Sequence, residues 1–277
     1  MEGVQPMRRW LIQLGALAVA VALLLAGLVT VGNVTRARLQ DLDRYSLAFS
    51  EIQCDAPPGQ ARADFLSEVQ YLAGMPGRLR LLHEGLAARL AEAFAAHPWV
   101  QRVEQVQILP THEVRASLVF RNPSLAVKLS RSSSIPSVRV VDEQGVLLPT
   151  SAPADGLPTL TVDGKTAPSC AGKPWDTQAV TEASRIAALC QPHKPLRFSA
   201  LAKAQEGWVL QTPGNSRVIW GRPPGAERTD ESPAAQKVQR LLVYCSKYGG
   251  LDVVDGPYEL DVRPRAQAIR RPLHDVK

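Results

Sequence analysis

The sequence predicts an α+β protein with a single N-terminal transmembrane helix, a small β-α-α-β-β domain and a second mixed α/β domain with an antiparallel sheet. Three observations predict it. Trp10 to Thr35 carries no charged residue. Leu86 to Phe120 reads as one amphipathic helix feeding a two-stranded hairpin. The second half alternates short period-two runs with two helical stretches. The expected boundaries are a cytoplasmic tail over 1–9, a membrane helix over 10–34, domains over 45–122 and 123–271, and a tail over 272–277.

The charge-free run exceeds the ~20 apolar residues that a bilayer span needs. Arg8 and Arg9 precede it, so the positive-inside rule places the N-terminus in the cytoplasm, although Arg36 and Arg38 lie beyond it. A cleaved signal peptide would have an apolar core of only ~7–15 residues and a small-residue cleavage site. Here the core runs on, and Val31 to Thr35 lacks an A-x-A ending, so an uncleaved anchor is expected.

Tyr45 to Cys54 alternates like a first strand, and Asp55 to Gln60 is a turn. Phe65, Leu66, Val69 and Leu72 have helical spacing, which predicts a helix from about Ala61 to Ala73, broken by Gly74-Met-Pro-Gly. Leu82, Leu86, Leu90 and Phe94 line one face of a second helix that ends at His97, because Pro98 forces the preceding residue out of the helical region. Trp99 falls at the junction and is expected to plug the space between helix and sheet. Val103, Val106 and Ile108, then Val114, Ala116, Leu118 and Phe120, form the two arms of a hairpin.

Past Asn122-Pro123, Val127 to Leu129 is strand-like and Arg131 to Pro136 a polar loop. Val138 to Pro149 reads as a hairpin turning at Asp142 to Gly145. Asp163 to Trp175 is a loop, Thr177 to Cys190 a helix, and Pro195 to Leu201 a strand. Trp208 to Thr212 and Arg217 to Arg222 make another hairpin. Ser232-Pro233 opens a helix through Tyr248, with proline at its first helical position. Leu251 to Val254 and Tyr258 to Val262 are β-like, with Ala266 to Arg270 after Pro264.

A helix ending in His97-Pro98-Trp99-Val100 and feeding a hairpin resembles the POTRA (polypeptide-transport-associated) module. The order strand, helix, helix, strand, strand over Leu47 to Asn122 is the POTRA order. Within that group the chain is similar to the cell-division proteins FtsQ and DivIB. Val138 to Pro149 matches the hydrophobic strand, D-x-x-G, hydrophobic strand and proline that open the family's second domain. Leu157 to Leu160 matches its L-P-x-L strand, and Leu260-Asp261-Val262-Arg263 its aromatic-x-Asp-Leu-Arg motif. The family often has an aromatic residue and a glycine after that arginine, where this chain has Pro264 and Gln267.

The resemblance implies a non-enzymatic, membrane-anchored scaffold of the septum machinery at the inner membrane, single-pass and enriched at the division site. It implies contacts with small division membrane proteins of the FtsB and FtsL kind, made by strand addition at an open sheet edge. The partner-binding residues it implies are Arg240, Tyr244, Arg263, Pro264, Arg265, Ala266, Gln267, Ala268, Ile269 and Arg270. Pro264 should start that edge, since proline cannot donate to a ladder. The bilayer itself is the other expected partner, through residues 10–34.

The remaining chemistry is sparse. A net charge of +6 is modest and the basic residues are scattered, without the basic stripe and interleaved aromatics of a nucleic-acid binder. His83, His97, His112, His193 and His274 are dispersed, and Cys54, Cys170, Cys190 and Cys245 lack C-x-x-C spacing, so neither metal nor cofactor is expected. The four cysteines allow three complete pairings, Cys190 with Cys245 being one option. There is no G-x-S-x-G, and Ser132 to Ser134 lie in a loop without a general base nearby, so neither an enzyme nor a small-molecule substrate is expected. Two other readings are open. A POTRA-containing secretion or outer-membrane assembly accessory would carry several such units or a barrel, and an anchored envelope hydrolase would need a nucleophile and base.

Overall fold

The computed structural model describes residues 20–32, 45–130, 138–162, 167–265 and 267–273. The expected cytoplasmic tail over 1–9, the expected polar loop over 131–136, residues 163–166 of the loop expected over 163–175, Ala266, and residues 274–277 of the tail expected over 272–277 lie outside them. The chain divides into two compact units: 1–54 with 66–94 and 104–117, and 55–65 with 95–103 and 118–277.

The expected membrane helix over 10–34 is corrected. The described helix α1 covers 20–32, about 20 Å at ~1.5 Å per residue against the ~30 Å of a hydrocarbon core. Among the described residues no helix is long and apolar enough to cross a membrane. Residues 10–19, 33 and 34 of the expected span lie outside the described set.

In the first unit, β1 (Ser46–Ala48) pairs antiparallel with β2 (Arg78–Arg80), Leu47 opposite Leu79. Strand β2 sits between the two expected helices, so the order is β-α-β-α-β-β, not β-α-α-β-β. Only Leu79 of its three residues faces inward, flanked by two exposed arginines, too short a pattern to read as a strand in advance. A 3-10 turn at Phe49–Glu51 follows β1. Gln53 then bridges in parallel to Arg115, with its N–H donated to the Val114 carbonyl and its carbonyl accepting from Ala116. Helix α2 (Arg62–Leu72) ends at Gly74, whose φ of 59° suits glycine. Helix α3 (Leu86–Ala95) buries Leu86, Leu90, Ala93 and Phe94, the i, i+4, i+7, i+8 stripe expected from the sequence. Its Phe94 ring lies 6.4 Å from that of Phe49. Strands β3 (Val100–Ile108) and β4 (Val114–Phe120) form a two-stranded sheet, turning where His112 takes a φ of 65°.

The second unit is built on an eight-stranded sheet. Its strands are β5 (Pro123–Leu129), β6 (Val138–Asp142), β7 (Thr159–Val162), β8 (Ala200–Ala204), β9 (Gly207–Gln211), β10 (Arg217–Gly221), β11 (Tyr258–Asp261) and β12 (Ile269–Pro272), in the order β12-β11-β10-β9-β8-β7-β5-β6. The expected antiparallel sheet is corrected to a mixed one: β5/β7, β7/β8 and β10/β11 run parallel. Two of these follow from connectivity. Helix α4 (Gln178–Cys190) lies between β7 and β8, and α5 (Ala234–Tyr248) between β10 and β11, and a helical crossover returns the chain to the sheet in the same direction.

The core forms where the alternating strand residues Val127, Leu201, Leu210, Val218 and Leu260 meet Val180, Ile186, Val238 and Leu241 of the two helices. Other expectations shift. The strand expected over 195–201 appears as Ala200–Ala204, and Leu196 and Phe198 are buried in irregular backbone before it. Leu251 to Val254 is a bend and turn with Leu251 buried, not a strand. The second arm of the 138–149 hairpin is reduced to isolated bridges of Val141 to Leu147 and Val146 to Pro174. Its turn is pinned by Asp142, whose carboxylate accepts from the N–H groups of Gln144 and Val146 and pairs with Arg121 at 2.7 Å. Gly145 is required there, since a Cβ would lie 2.9 Å from the Thr181 hydroxyl.

Trp99, expected to be buried, is fully buried. It clusters with Val140, Leu148 and Ala152 of the β6 region, with Phe120 and Leu157 packed alongside.

Candidate functional site

Strand β12 occupies one edge of the large sheet. It runs antiparallel to β11, with Tyr258 opposite Pro272, Glu259 opposite Arg271, Leu260 opposite Arg270 and Asp261 opposite Ile269. Leu273 donates its N–H to the Pro257 carbonyl. Hydrogen-bonding pairs alternate along an antiparallel ladder, so Arg271 and Ile269 turn their backbone groups toward β11. Arg270 therefore points its N–H and C=O outward, and Pro272 offers an outward carbonyl but no donor. Ile269, Arg271 and Pro272 are exposed.

The segment leading into this edge is held from behind. The Arg240 guanidinium, on α5, donates to the Val262 carbonyl at 3.2 Å, to the carbonyls of Pro264 and Arg265, and to the Ser232 hydroxyl at 2.6 Å. Ser232 also donates its N–H to the Arg263 carbonyl, and Glu231 bridges antiparallel to Pro264. Below this bridge the Lys237 ammonium, completely buried, meets Glu231 at 2.6 Å and lies 5.1 Å from the Trp220 ring centre. Glu231 accepts in addition from the Arg222 N–H at 2.9 Å. Gly221 is obligatory beside it, with a φ of 84° and a Cβ position only 2.1 Å from the Glu231 carboxylate. Pro233 is the N-cap residue of α5 and not its first helical residue. The Ala234 N–H, without a local side-chain cap, is satisfied by Glu227 at 3.0 Å.

Arg270 turns its side chain onto an aromatic cluster. Its guanidinium stands 3.5 Å from the Tyr258 ring centre, 4.9 Å from Tyr248 and 5.9 Å from Tyr244. A cation over an aromatic face is attracted by the ring quadrupole, which ties the edge strand to α5. Tyr244 is buried and its ring lies 4.6 Å from that of Tyr248. Burial pushes the Tyr244 hydroxyl above its ordinary range, the Arg270 charge opposing. Sequence reasoning missed Tyr248 and Tyr258; the i, i+4 spacing of Tyr244 and Tyr248 on an expected helix was the available signal.

The other residues implied by the resemblance are spread along the same segment. Arg263 pairs with Asp261 at 2.8 Å and with Glu206 at 2.7 Å. Arg265 and Gln267 are exposed, Ala268 packs against the core, and Ala266 lies outside the described residues. Burial raises the Asp261 carboxyl, but hydrogen bonds and charge from Arg263, with the charge of Arg271, outweigh it and hold the group below its usual range. A depressed carboxyl stabilises the fold above the unfolded value, near ~3.9, and that stability is lost as pH falls through the lower folded value. Acid titration of unfolding should therefore show the gap between the natural protein and Asp261→Asn closing below about pH 4. A gap that does not narrow as the pH falls would rule out this ion pair as its source.

Beside Arg263 lies a cleft of about 810 Å³ lined by charges of both signs. Its carboxylates are engaged: Glu182 by Lys203 and the Trp208 indole, Glu206 and Asp261 by Arg263, Asp230 by Arg228, and Glu231 by Lys237. Among the described residues no group of three or more His, Cys, Asp or Glu is placed to hold a metal ion. Cys170, Cys190 and Cys245 form no disulfide among the described residues; Cys190 and Cys245 are buried, and burial pushes the Cys190 thiol up to about 12. No family model matches the chain, and no curated protein matches it in sequence.

Proposed function

We propose that this protein is a non-enzymatic scaffold of the cell-division machinery, of the FtsQ and DivIB kind, which captures a partner segment by strand addition along β12. The observation that carries this reading is the edge position of β12, with the Arg270 N–H and C=O directed outward. Main-chain hydrogen bonds along such an edge give affinity, and side chains at alternate positions give selectivity. Arg271, exposed on β12, and Arg265, exposed just before it, guard the edge against indiscriminate pairing and favour an acidic segment. Pro272 removes one outward donor, so the added strand pairs from Arg270 backward, away from Pro272. The partners proposed are small division membrane proteins of the FtsB and FtsL kind.

The edge is tested by Arg270→Pro beside Arg270→Ala. Proline is tolerated where an edge N–H faces solvent, so the first removes the outward donor while the second removes only the tyrosine-stacked cation. Capture of the partners from solubilised membranes should be lost in Arg270→Pro and retained, though weaker, in Arg270→Ala. Equal capture by Arg270→Pro and the natural protein would exclude strand addition at this edge. The division role is tested by a fluorescent fusion in dividing host cells, where a mid-cell band is expected and a uniform signal would count against it.

A further inference from the structure

We infer that a second docking site lies at the C-terminal end of α4, taking an acidic peptide segment that inserts one leucine-sized side chain. After Cys190 the chain turns back on itself, His193 donating its N–H to the Cys190 carbonyl at 3.0 Å and Leu196 to that of His193 at 2.8 Å. This turn and the segment 156–158 border a half-open cavity of about 220 Å³. Its interior is apolar: Ala187, Cys190, Leu196, Phe198, Leu201 and Leu210, all buried. That volume is below the ~300–1,000 Å³ of pockets for drug-sized ligands and suits a single large side chain, the kind of anchor that dominates protein interfaces.

The rim selects the charge. His193, Lys194 and Arg197 border the cavity, Lys194 and Arg197 exposed, and no Asp or Glu is among its described lining residues. No acidic group pairs with any of the three among the described residues. The C-terminus of α4 carries about half a negative charge, less than the two permanent cations of the rim supply. The rim is thus left with unanswered positive charge around an apolar opening, which complements an acidic segment with an apolar anchor. This site is separate from β12, and the inference does not rest on strand addition.

The test uses the full chain and fluorescein-labelled peptides, read by anisotropy. Asp-Glu-Leu-Glu-Asp should bind, and Asp-Glu-Ala-Glu-Asp and Lys-Lys-Leu-Lys-Lys should each bind at least about tenfold more weakly. The double variant K194E/R197E alters two exposed side chains without partners, so its thermal unfolding should match that of the natural protein. Its affinity for the leucine peptide should also fall at least about tenfold, while the charge-keeping K194R/R197K and the edge variant R270P keep it. Equal binding of the leucine and alanine peptides, or undiminished binding by K194E/R197E, would overturn the inference. Displacement of the peptide by hexanoate at equal concentration would overturn it too, showing a small-carboxylate pocket in place of a peptide site.

Discussion

Replacing Trp99 with alanine is expected to destabilise the full-length protein by about 3–5 kcal/mol, a large share of the ~5–15 kcal/mol that holds a domain together. The ring is completely buried among Val140, Leu148 and Ala152, and Arg121 donates its N–H to the Trp99 carbonyl at 2.8 Å. Arg121 in turn pairs with Asp142, the residue that pins the turn after β6. Truncating the indole leaves a cavity bordered by a strand end and a turn, and neither can collapse without shifting this ion pair. The indole N–H has no hydrogen-bond partner among the described residues, so the loss comes from packing and not from a bond. Trp99→Phe should accordingly recover much of it. Chemical denaturation of the whole chain checks this, because residues 140–152 supply the packing and a fragment ending at 122 lacks them. An unchanged midpoint for Trp99→Ala would mean that the ring is not part of the core.

What the sequence made legible was local. The apolar stripe of α3, the arms of β4, the D-x-x-G turn at Asp142 and the faces of α4 and α5 all repeat at the period of their element, and such patterns survive in any tertiary context. Strand direction was not legible, since no residue of β10 or β11 encodes that they run parallel; that follows from α5 being inserted between them. Strand β2 was hidden by its length, and the irregular stretch at Leu196 to Phe198 by apolar residues that mimic a strand while filling the core. The apolar run from Trp10 was read by composition, which measures hydrophobicity and not the extent of helix; among the described residues no helix is long and apolar enough to cross a membrane. At the candidate site, Ile269 and Arg270 of the segment singled out from the sequence lie in β12, while Arg263, Pro264 and Arg265 precede it. The carbonyl grip of Arg240 and the placing of Arg270 over the tyrosines join side chains far apart in the chain; the i, i+4 spacing of Tyr244 and Tyr248 signals that pair but not the arginine that meets it.

Removing the Glu231 carboxylate is expected to cost about 3–5 kcal/mol, because Glu231→Ala would strand a completely buried ammonium. Among the described residues Lys237 pairs with no other carboxylate; it also donates to the Arg222 carbonyl at 3.4 Å and faces the Trp220 ring. Glu231 also holds the Arg222 N–H, and its backbone bridges to Pro264, so the loss reaches the chain that leads into β12. Removing both charges differs from removing one. A buried ion pair replaced by apolar groups of similar volume is often neutral or even stabilising, so Glu231→Leu with Lys237→Met should be far more stable than Glu231→Ala. Denaturant unfolding of the two single variants and the double variant closes the cycle, and strictly additive effects would disprove the coupling. If the bridge also positions the edge, Glu231→Ala should weaken partner capture under conditions where it is still fully folded, and the apolar double variant, which restores packing but not the hydrogen bond to Arg222, should recover stability before it recovers capture.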